Sequence, residues 1–403
     1  MTTTATPTVD RGIFTDPEPR PVHFTVISVD DHLVEPPDLF EGRMEARFAD
    51  LAPRVRDTED GGQEWVYDGQ TFAQLGLNAV VGHERREDWT YEPTRFEDMR
   101  RGCWDIHARI RDMDINGVWA SVNFPSMITG FCGSVYSRTS DPELGQAVMR
   151  AWNDWLFEEW YGPYPERIVP MGITWLADPE AAVAEIHRNA ARGFTAVSLP
   201  EQPHRLGYPS LHSGYWDPVL AACQDTDTVI CLHVASSGTS ITATDAPNPA
   251  LGATLFQSLA LQACADWVWS GVAVRFPQLK IAMSEGGIGW VPMLKDRLDF
   301  MLDQSGHGRT QWVSQDVTPC EVLERNFWFC TIDDPSTMRC RDRIGIDRIM
   351  VEVDYPHADS TWPDTQQFLA KAMAGIPDDE VRLMTYGNAA ALFRHPLPAE
   401  CRP

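Results

Sequence analysis

VISVDDHLVEPPD (residues 26–38) starts as an apolar strand and ends in a crowd of ionisable groups. Val26-Ile27-Ser28-Val29 is the β-branched run expected inside a sheet. It leads straight into Asp30, Asp31 and His32, with Glu35 close behind. Charged groups at the end of a buried strand are costly unless something compensates them. The two-residue step from Asp30 to His32 puts both side chains on one strand face and Asp31 on the other, where it would serve as a supporting group on the helix side.

Seven further short runs match the first: 118–124 (VWASVNF), 168–174 (IVPMGIT), 194–199 (FTAVSL), 228–233 (TVICLH), 279–285 (LKIAMSE), 326–331 (NFWFCT) and 348–354 (RIMVEVD). Helical patterns separate several of them. The clearest is PEAAVAEIHRNAARG after Asp178, with an N-cap, a first-turn Pro and a Gly stop. Strand and helix alternating along a whole chain imply a parallel sheet, and eight units favour a closed (β/α)8 barrel of the TIM type over an open sheet. The expected organisation is one barrel domain over 23–395, with loose tails at 1–22 and 396–403. Segments 36–103 and 235–275 are too long for simple crossovers, so they are expected to carry helical insertions that roof the C-terminal mouth.

Composition narrows the function. Hydrophobic residues make up 43% and charged residues 23%, as in a globular protein. A net charge of −25 opposes a nucleic-acid partner and an acidic membrane surface, although Arg85-Arg86, Arg100-Arg101 and Arg109-Arg111 offer local sites for an anionic ligand. The longest uncharged segment, Ala246 to Ala265, contains Pro247, Asn248 and Pro249 and does not read as a membrane span. Nine scattered cysteines without a C-x-x-C pair, and no export signal at the start, fit reduced thiols in a cytoplasm.

The polar residues carry the chemistry. Asp30 and His32 end the first strand, Glu201 follows the fourth, His233 ends the fifth, Glu285 the sixth and Asp354 the eighth. In a barrel these ends converge on one mouth. Taken singly, each has a bland reading: a strand-terminal His is usually a hydrogen-bonded structural residue, and Glu201 or Glu285 fits a solvated loop or a helix cap. Taken together, four carboxylates and two imidazoles need a cation, and two ions would suit the number of donors. Glu35 is a further candidate ligand or a partner for His32. His357 and Asp359, in DYPHADS, are candidates for proton transfer, and Glu352 is a candidate partner for a buried basic residue. Trp152, Trp155 and Trp160 read as a core stripe.

VDDHLVEPPDLF, ICLHVASSG, RFPQLKIAMSEGGIGWVPML, DYPHADSTWP and YGNAAALF resemble, in order, the amidohydrolase-related family that includes aminocarboxymuconate-semialdehyde decarboxylase. The resemblance spans roughly 24–395 and implies a (β/α)8 barrel with one or two metal ions. The family pattern has H-x-H on the first strand, His on the fifth and sixth, and Asp on the eighth. Here Asp30 and Glu285 stand where the family carries His, while His32, His233 and Asp354 match. Glu201 takes the position of the fourth-strand bridging ligand of two-metal relatives. Carboxylates in place of imidazoles favour iron or manganese over zinc.

The chain also resembles the non-haem di-iron monooxygenase type built on such a barrel in platensimycin and platencin biosynthesis. That resemblance implies two Fe ions, O2 as co-substrate, an external electron donor and hydroxylation of a diterpenoid, free or as a coenzyme A thioester. The alternative that most of the family implies is a Zn- or Mn-dependent hydrolase or decarboxylase acting on a small molecule. A metal-free binding protein on a retired barrel is the third reading, and the sequence leaves room for a homo-oligomer.

Overall fold

All eight predicted runs become parallel strands in the computed structural model, which describes residues 13, 15–18, 20–83, 92–247, 250–304, 306–331 and 334–401. β1 (Val26–His32), β2 (Val118–Phe124), β3 (Ile168–Val169, resuming as Met171–Gly172), β4 (Ala196–Leu199), β5 (Val229–His233), β6 (Ile281–Ser284), β7 (Phe327–Thr331) and β8 (Ile349–Val351) pair in chain order. β3 is interrupted at Pro170, which has no N–H to give to a ladder, although its carbonyl still accepts the Thr195 N–H at 3.1 Å. The sheet closes between β8 and β1. There the Asp354 N–H donates to the Asp30 carbonyl at 2.9 Å and the His32 N–H to that of Tyr355 at 2.6 Å.

Ile27, Val29, Ala120, Val122, Val169, Met171, Ala196, Val229, Cys231, Ala282, Cys330 and Met350 pack into one buried cluster that fills the barrel. Ile27 and Val29 on this face would leave Asp30 and His32 on the opposite one if β1 were regular. It is not: its register against β2 slips between Ser28 and Asp31, where three steps on β1 oppose two on β2. The extra residue is a β-bulge, and it turns Asp30 and His32 into the lumen above Val29. Ser28 secures the bulge, its hydroxyl donating to the Asp30 carbonyl (3.1 Å) and to Asp31 Oδ1 (2.8 Å) and accepting the Val353 N–H (2.9 Å).

The helical layer follows the local signals. In α1 (Pro179–Arg192), Asp178 accepts the Glu180 N–H, Pro179 fills the first turn and Gly193 stops the helix at φ 109°. The insertion after β5 is helical, as expected, with Ala250–Thr254, α2 (Phe256–Trp269) and Val272–Arg275. The insertion after β1 is not. It is a three-stranded antiparallel sheet of Arg54–Asp57, Gln63–Tyr67 and Gln70–Phe72 with short 3-10 turns. Asp68-Gly69 joins the last two strands with φ of 48° and 73°, the two positive values of a tight hairpin turn. That dipeptide is a local signal for a hairpin, and it outweighs the helical expectation for this segment.

Some described residues near both ends are tied to the rest of the fold. Asp16 pairs with Arg100 and Arg20 with Asp364, while Cys401 Sγ lies 3.1 Å from Thr25 Oγ1. The three tryptophans of the stripe are buried in the core, Trp152 at 0%, Trp155 at 2% and Trp160 at 1% exposure. All nine cysteines are free thiols. Among the described residues no helix is long and apolar enough to cross a membrane.

Candidate metal centre

β5 and β6 run in register with Ser284 beside His233, so the next residue, Glu285, rises over the fifth-strand imidazole. Glu285 adopts φ 53° and Asp354 φ 55°, left-handed values that cost a non-glycine residue energy and that occur where a site fixes its side chains. Gly286 and Gly287 make the Glu285 turn fit under α2. A Cβ on the first would sit 2.7 Å from Ala260 Cβ, and on the second 2.5 Å from Gln257 Nε2.

These turns build a ring of donor atoms. His32 Nε2 lies 3.1 Å from His233 Nε2, 3.5 Å from Asp30 Oδ1 and 3.3 Å from Asp354 Oδ1. His233 Nε2 lies 3.7 Å from Asp30 Oδ1 and 3.2 Å from Glu285 Oε2, and His357 Nδ1 is 3.0 Å from Asp354 Oδ1. Ligand atoms about 2.0–2.2 Å from one ion stand roughly 3.0–3.5 Å from each other, so these edges have the size of a coordination shell. His233 Nδ1 approaches the Val234 carbonyl at 2.6 Å. A carbonyl only accepts, so this nitrogen carries the proton and Nε2 is left as a ligand.

Among the described residues, four groups of side chains offer donors within 4.8 Å of one another: Asp30, His32 and His233; His32, Asp354 and His357; Glu285, Asp354 and Asp359; and Asp30, Cys330 and Glu352. Both oxygens of Asp30, Asp354 and Glu201 are buried without a hydrogen-bond partner, as is His32 Nδ1. Burial, then repulsion among the acids, raises the carboxyls of Asp30, Glu285 and Asp354 well above their ordinary range. Burial, then neighbouring imidazoles, holds His32 well below its usual value, and burial alone does most to bring His233 to about 3 and His357 to about 4. Acids starved of donors beside neutral imidazoles are the electrostatic signature of a cation site.

The predicted residues therefore divide. Asp30, His32, His233, Glu285 and Asp354 meet. His357 and Asp359, expected to move protons, stand among the ligand-capable groups. Glu201 belongs to none of those groups. Its N–H donates to Ser236 Oγ (3.1 Å), its carbonyl accepts the Trp267 indole N–H (2.9 Å), and burial pushes its carboxyl up to about 7. Glu35 is not a free ligand. Its carboxylate is taken by the Ser126 N–H (3.2 Å), the Ser126 hydroxyl and the Trp152 indole N–H (3.0 Å). Glu352 has no basic partner among the described residues, and it accepts from the Cys330 thiol and the Glu285 N–H (3.1 Å).

Asp31 turns away as expected and accepts from Ser28 and from the Tyr355 N–H (3.2 Å). Three of the arginines are also committed, while Arg111 is exposed. Arg109 is fully buried, donates to the Gly102 and His32 carbonyls and lies 4.1 Å over the Tyr355 ring, while Arg100 pairs with Asp112 and Arg101 with Asp105. Arg85 and Arg86 lie outside the described residues. Sequence reasoning missed Cys330, although its place in FWFCT puts it on the inward face. It also missed Phe124 and Phe131, whose rings stand 4.9 Å from that of His233 and wall one side of the centre.

Comparison with known proteins agrees with the fold. The amidohydrolase family model matches residues 27–395. An amidohydrolase from Mycobacterium avium subsp. paratuberculosis superposes with a TM-score of 0.71 at 23% identity, covering 93% of this chain and 100% of its own. A 5-carboxyvanillate decarboxylase from Sphingomonas paucimobilis gives 0.63 at 20%, covering 92% and 99%. A dihydroxybenzoic acid decarboxylase from Polaromonas, with bound manganese and the inhibitor 2-nitroresorcinol, gives 0.60 at 18%, covering 92% and 97%.

Proposed function

Because the chain belongs to the amidohydrolase family, we propose that it is a metal-dependent enzyme acting on a small carboxylate- or carbonyl-bearing molecule, by decarboxylation or hydrolysis. The observation that carries this reading is the ring of His32, His233, Asp30, Glu285 and Asp354 at one mouth, with the oxygens of Asp30 and Asp354 buried and unpartnered. Asp30, His32, His233 and Asp354 would hold a divalent cation, with His357 and Glu285 at its edge. A bound cation supplies a Lewis acid that polarises a substrate oxygen and acidifies a water. The chain's own part is to bind, orient and exclude water. Phe124 and Phe131 offer an apolar wall to a ring substrate, and Glu201, whose carboxyl burial pushes up to about 7 against the backbone N–H groups of Ala235 and Ser237, would be available to exchange a proton near neutral pH. Solved proteins of similar fold that decarboxylate aromatic acids, one with manganese bound, support this reading.

One observation favours a second reading. Asp30, Glu201, Glu285, Glu352, Asp354 and Asp359 give more carboxylate than one divalent ion neutralises, and such hard donors suit a pair of iron ions. In that case the enzyme would be an O2-dependent hydroxylase supplied by an external electron donor, and its substrate, by resemblance, a diterpenoid. Elemental analysis of protein from medium supplemented with both iron and manganese, combined with anaerobic incubation with hydroxybenzoic acids, tests both. Manganese or zinc with CO2 release in the absence of O2 supports the first. Two irons per chain and O2 uptake on reduction support the second. Protein that retains no metal overturns both.

A further inference from the structure

Below the ring, the lumen holds a second set of donors built around Cys330, a residue that neither reading uses. Cys330 on β7 and Glu352, just past the end of β8, point inward one layer deeper than His32 and His233, and Asp30 reaches them from β1. A ligand atom of each lies within 4.8 Å of the others, and all three side chains are buried. Both oxygens of Asp30 and Oε1 of Glu352 lack a partner. Cys330 Sγ stands 3.3 Å from the Met283 carbonyl and accepts the Glu285 N–H at 3.0 Å, so the thiol is held in place beside the acids. No Lys or Arg pairs with this group among the described residues. Two buried acids and a fixed sulfur, with unused lone pairs facing one another, make a cation pocket of mixed hardness.

We propose that Asp30, Cys330 and Glu352 form a deeper cation subsite that shares Asp30 with the upper ring. It would select a borderline divalent ion such as Fe2+, Co2+ or Zn2+ over Mg2+ or Ca2+, because one ligand is sulfur. This inference rests on the metal-enzyme reading. Binding forms one metal–sulfur bond and metal–oxygen bonds to the two carboxylates. The thiol proton and any proton held by the acids pass to solvent, and no electrons change hands.

The test is an anaerobic Co2+ titration of the full chain after removal of metal by a chelator. Two equivalents are expected, one of them bringing a sulfur-to-cobalt charge-transfer absorption in the near ultraviolet. Cys330→Ser should remove that absorption. Glu352→Gln should weaken the second equivalent about tenfold or more and spare the first, whereas Asp359→Asn should leave the absorption intact. If Cys330→Ser does not fold, X-ray absorption of the cobalt-loaded wild type decides, with a sulfur scatterer expected at about 2.3 Å. Bound cobalt with neither sulfur signal overturns the deeper subsite and leaves the metal-enzyme reading standing. Failure of the wild type to bind cobalt at all overturns both.

Discussion

The lumen of the barrel and the layer behind β1 both bury carboxylates, and they treat them in opposite ways. Behind β1, Glu35 receives three donors, Asp31 receives Ser28 and the Tyr355 N–H, and Asp112 receives Arg100 and the Tyr355 hydroxyl (2.6 Å). In the lumen, both oxygens of Asp30 and of Asp354 are buried without a hydrogen-bond donor. The contrast spans the single stretch 26–38, where Asp31 and Glu35 belong to the first layer and Asp30 to the second. A saturated buried acid supports the architecture, and a starved one marks a place for something the chain does not itself supply.

The largest test of this contrast is Glu35→Ala. It strands the Ser126 N–H, the Ser126 hydroxyl and the Trp152 N–H in the core, and a loss of roughly 3 kcal/mol or more is expected by chemical denaturation. The folded fraction should keep its full metal content by elemental analysis. Lost metal with unchanged stability would put Glu35 in the wrong layer.

Asp354→Asn is the converse. Removing a starved acid that the fold does not need should leave the metal-free melting temperature equal or higher. Apparent affinity for Mn2+ should fall about a hundredfold by titration. Equal affinity in the variant would remove Asp354 from the ring.

Proton linkage gives a smaller and signed effect. Burial raises Glu201 to about 7 and Glu352 to about 8, from an ordinary 4.5. Between the ordinary and raised values the folded chain holds protons that the unfolded chain has released, so stability falls as pH rises. His233 and His357 are lowered, so their contribution is lost only as pH falls below 6.5. From about pH 6.5 to 8 the acids act alone. The metal-free protein should therefore melt at progressively lower temperature over that window, while Mn2+, which displaces those protons, should flatten or reverse the slope. Calorimetry with and without chelator measures it, and a metal-free melting temperature that rises over the window would mean that these acids are already ionised in the fold.

The same contrast separates what could be read from the chain from what could not. All eight strands were legible because apolar runs and helix caps are local signals, and five ring residues were legible because barrel topology brings strand ends together. The bulge at Ser28–Asp31 was not, since one extra residue in a strand has no compositional mark, and it is the bulge, not regular alternation from Ile27 and Val29, that faces Asp30 into the lumen. Glu35 looked like Asp30 because residue type does not reveal that Ser126 and Trp152, distant in sequence, arrive to satisfy it. Asp30 and Glu285, standing where the family carries His, could be read as hard donors, but which ion they select depends on what binds. The length of the insertion after β1 suggests helix, whereas Asp68-Gly69 marks the hairpin that forms.

That hairpin supplies the smallest test, because its turn and its Tyr67 are held by hydrogen bonds on the saturated side. Asp68 accepts the Ser140 N–H (2.8 Å) and hydroxyl (2.5 Å), Tyr67 meets Thr139 Oγ1 at 2.6 Å, and Trp65 packs edge-on to Phe40 and Phe96. The turn thus anchors the segment after β2 that carries Phe131 over the His233 ring. Gly69→Ala forces a side chain into φ 73° and should cost about 1 kcal/mol, with faster hydrogen exchange over 63–72. Metal affinity should not change, since no ring ligand contacts the hairpin. If it does change, the roof holds Phe131 tightly enough to position the imidazoles, and the two layers are mechanically one.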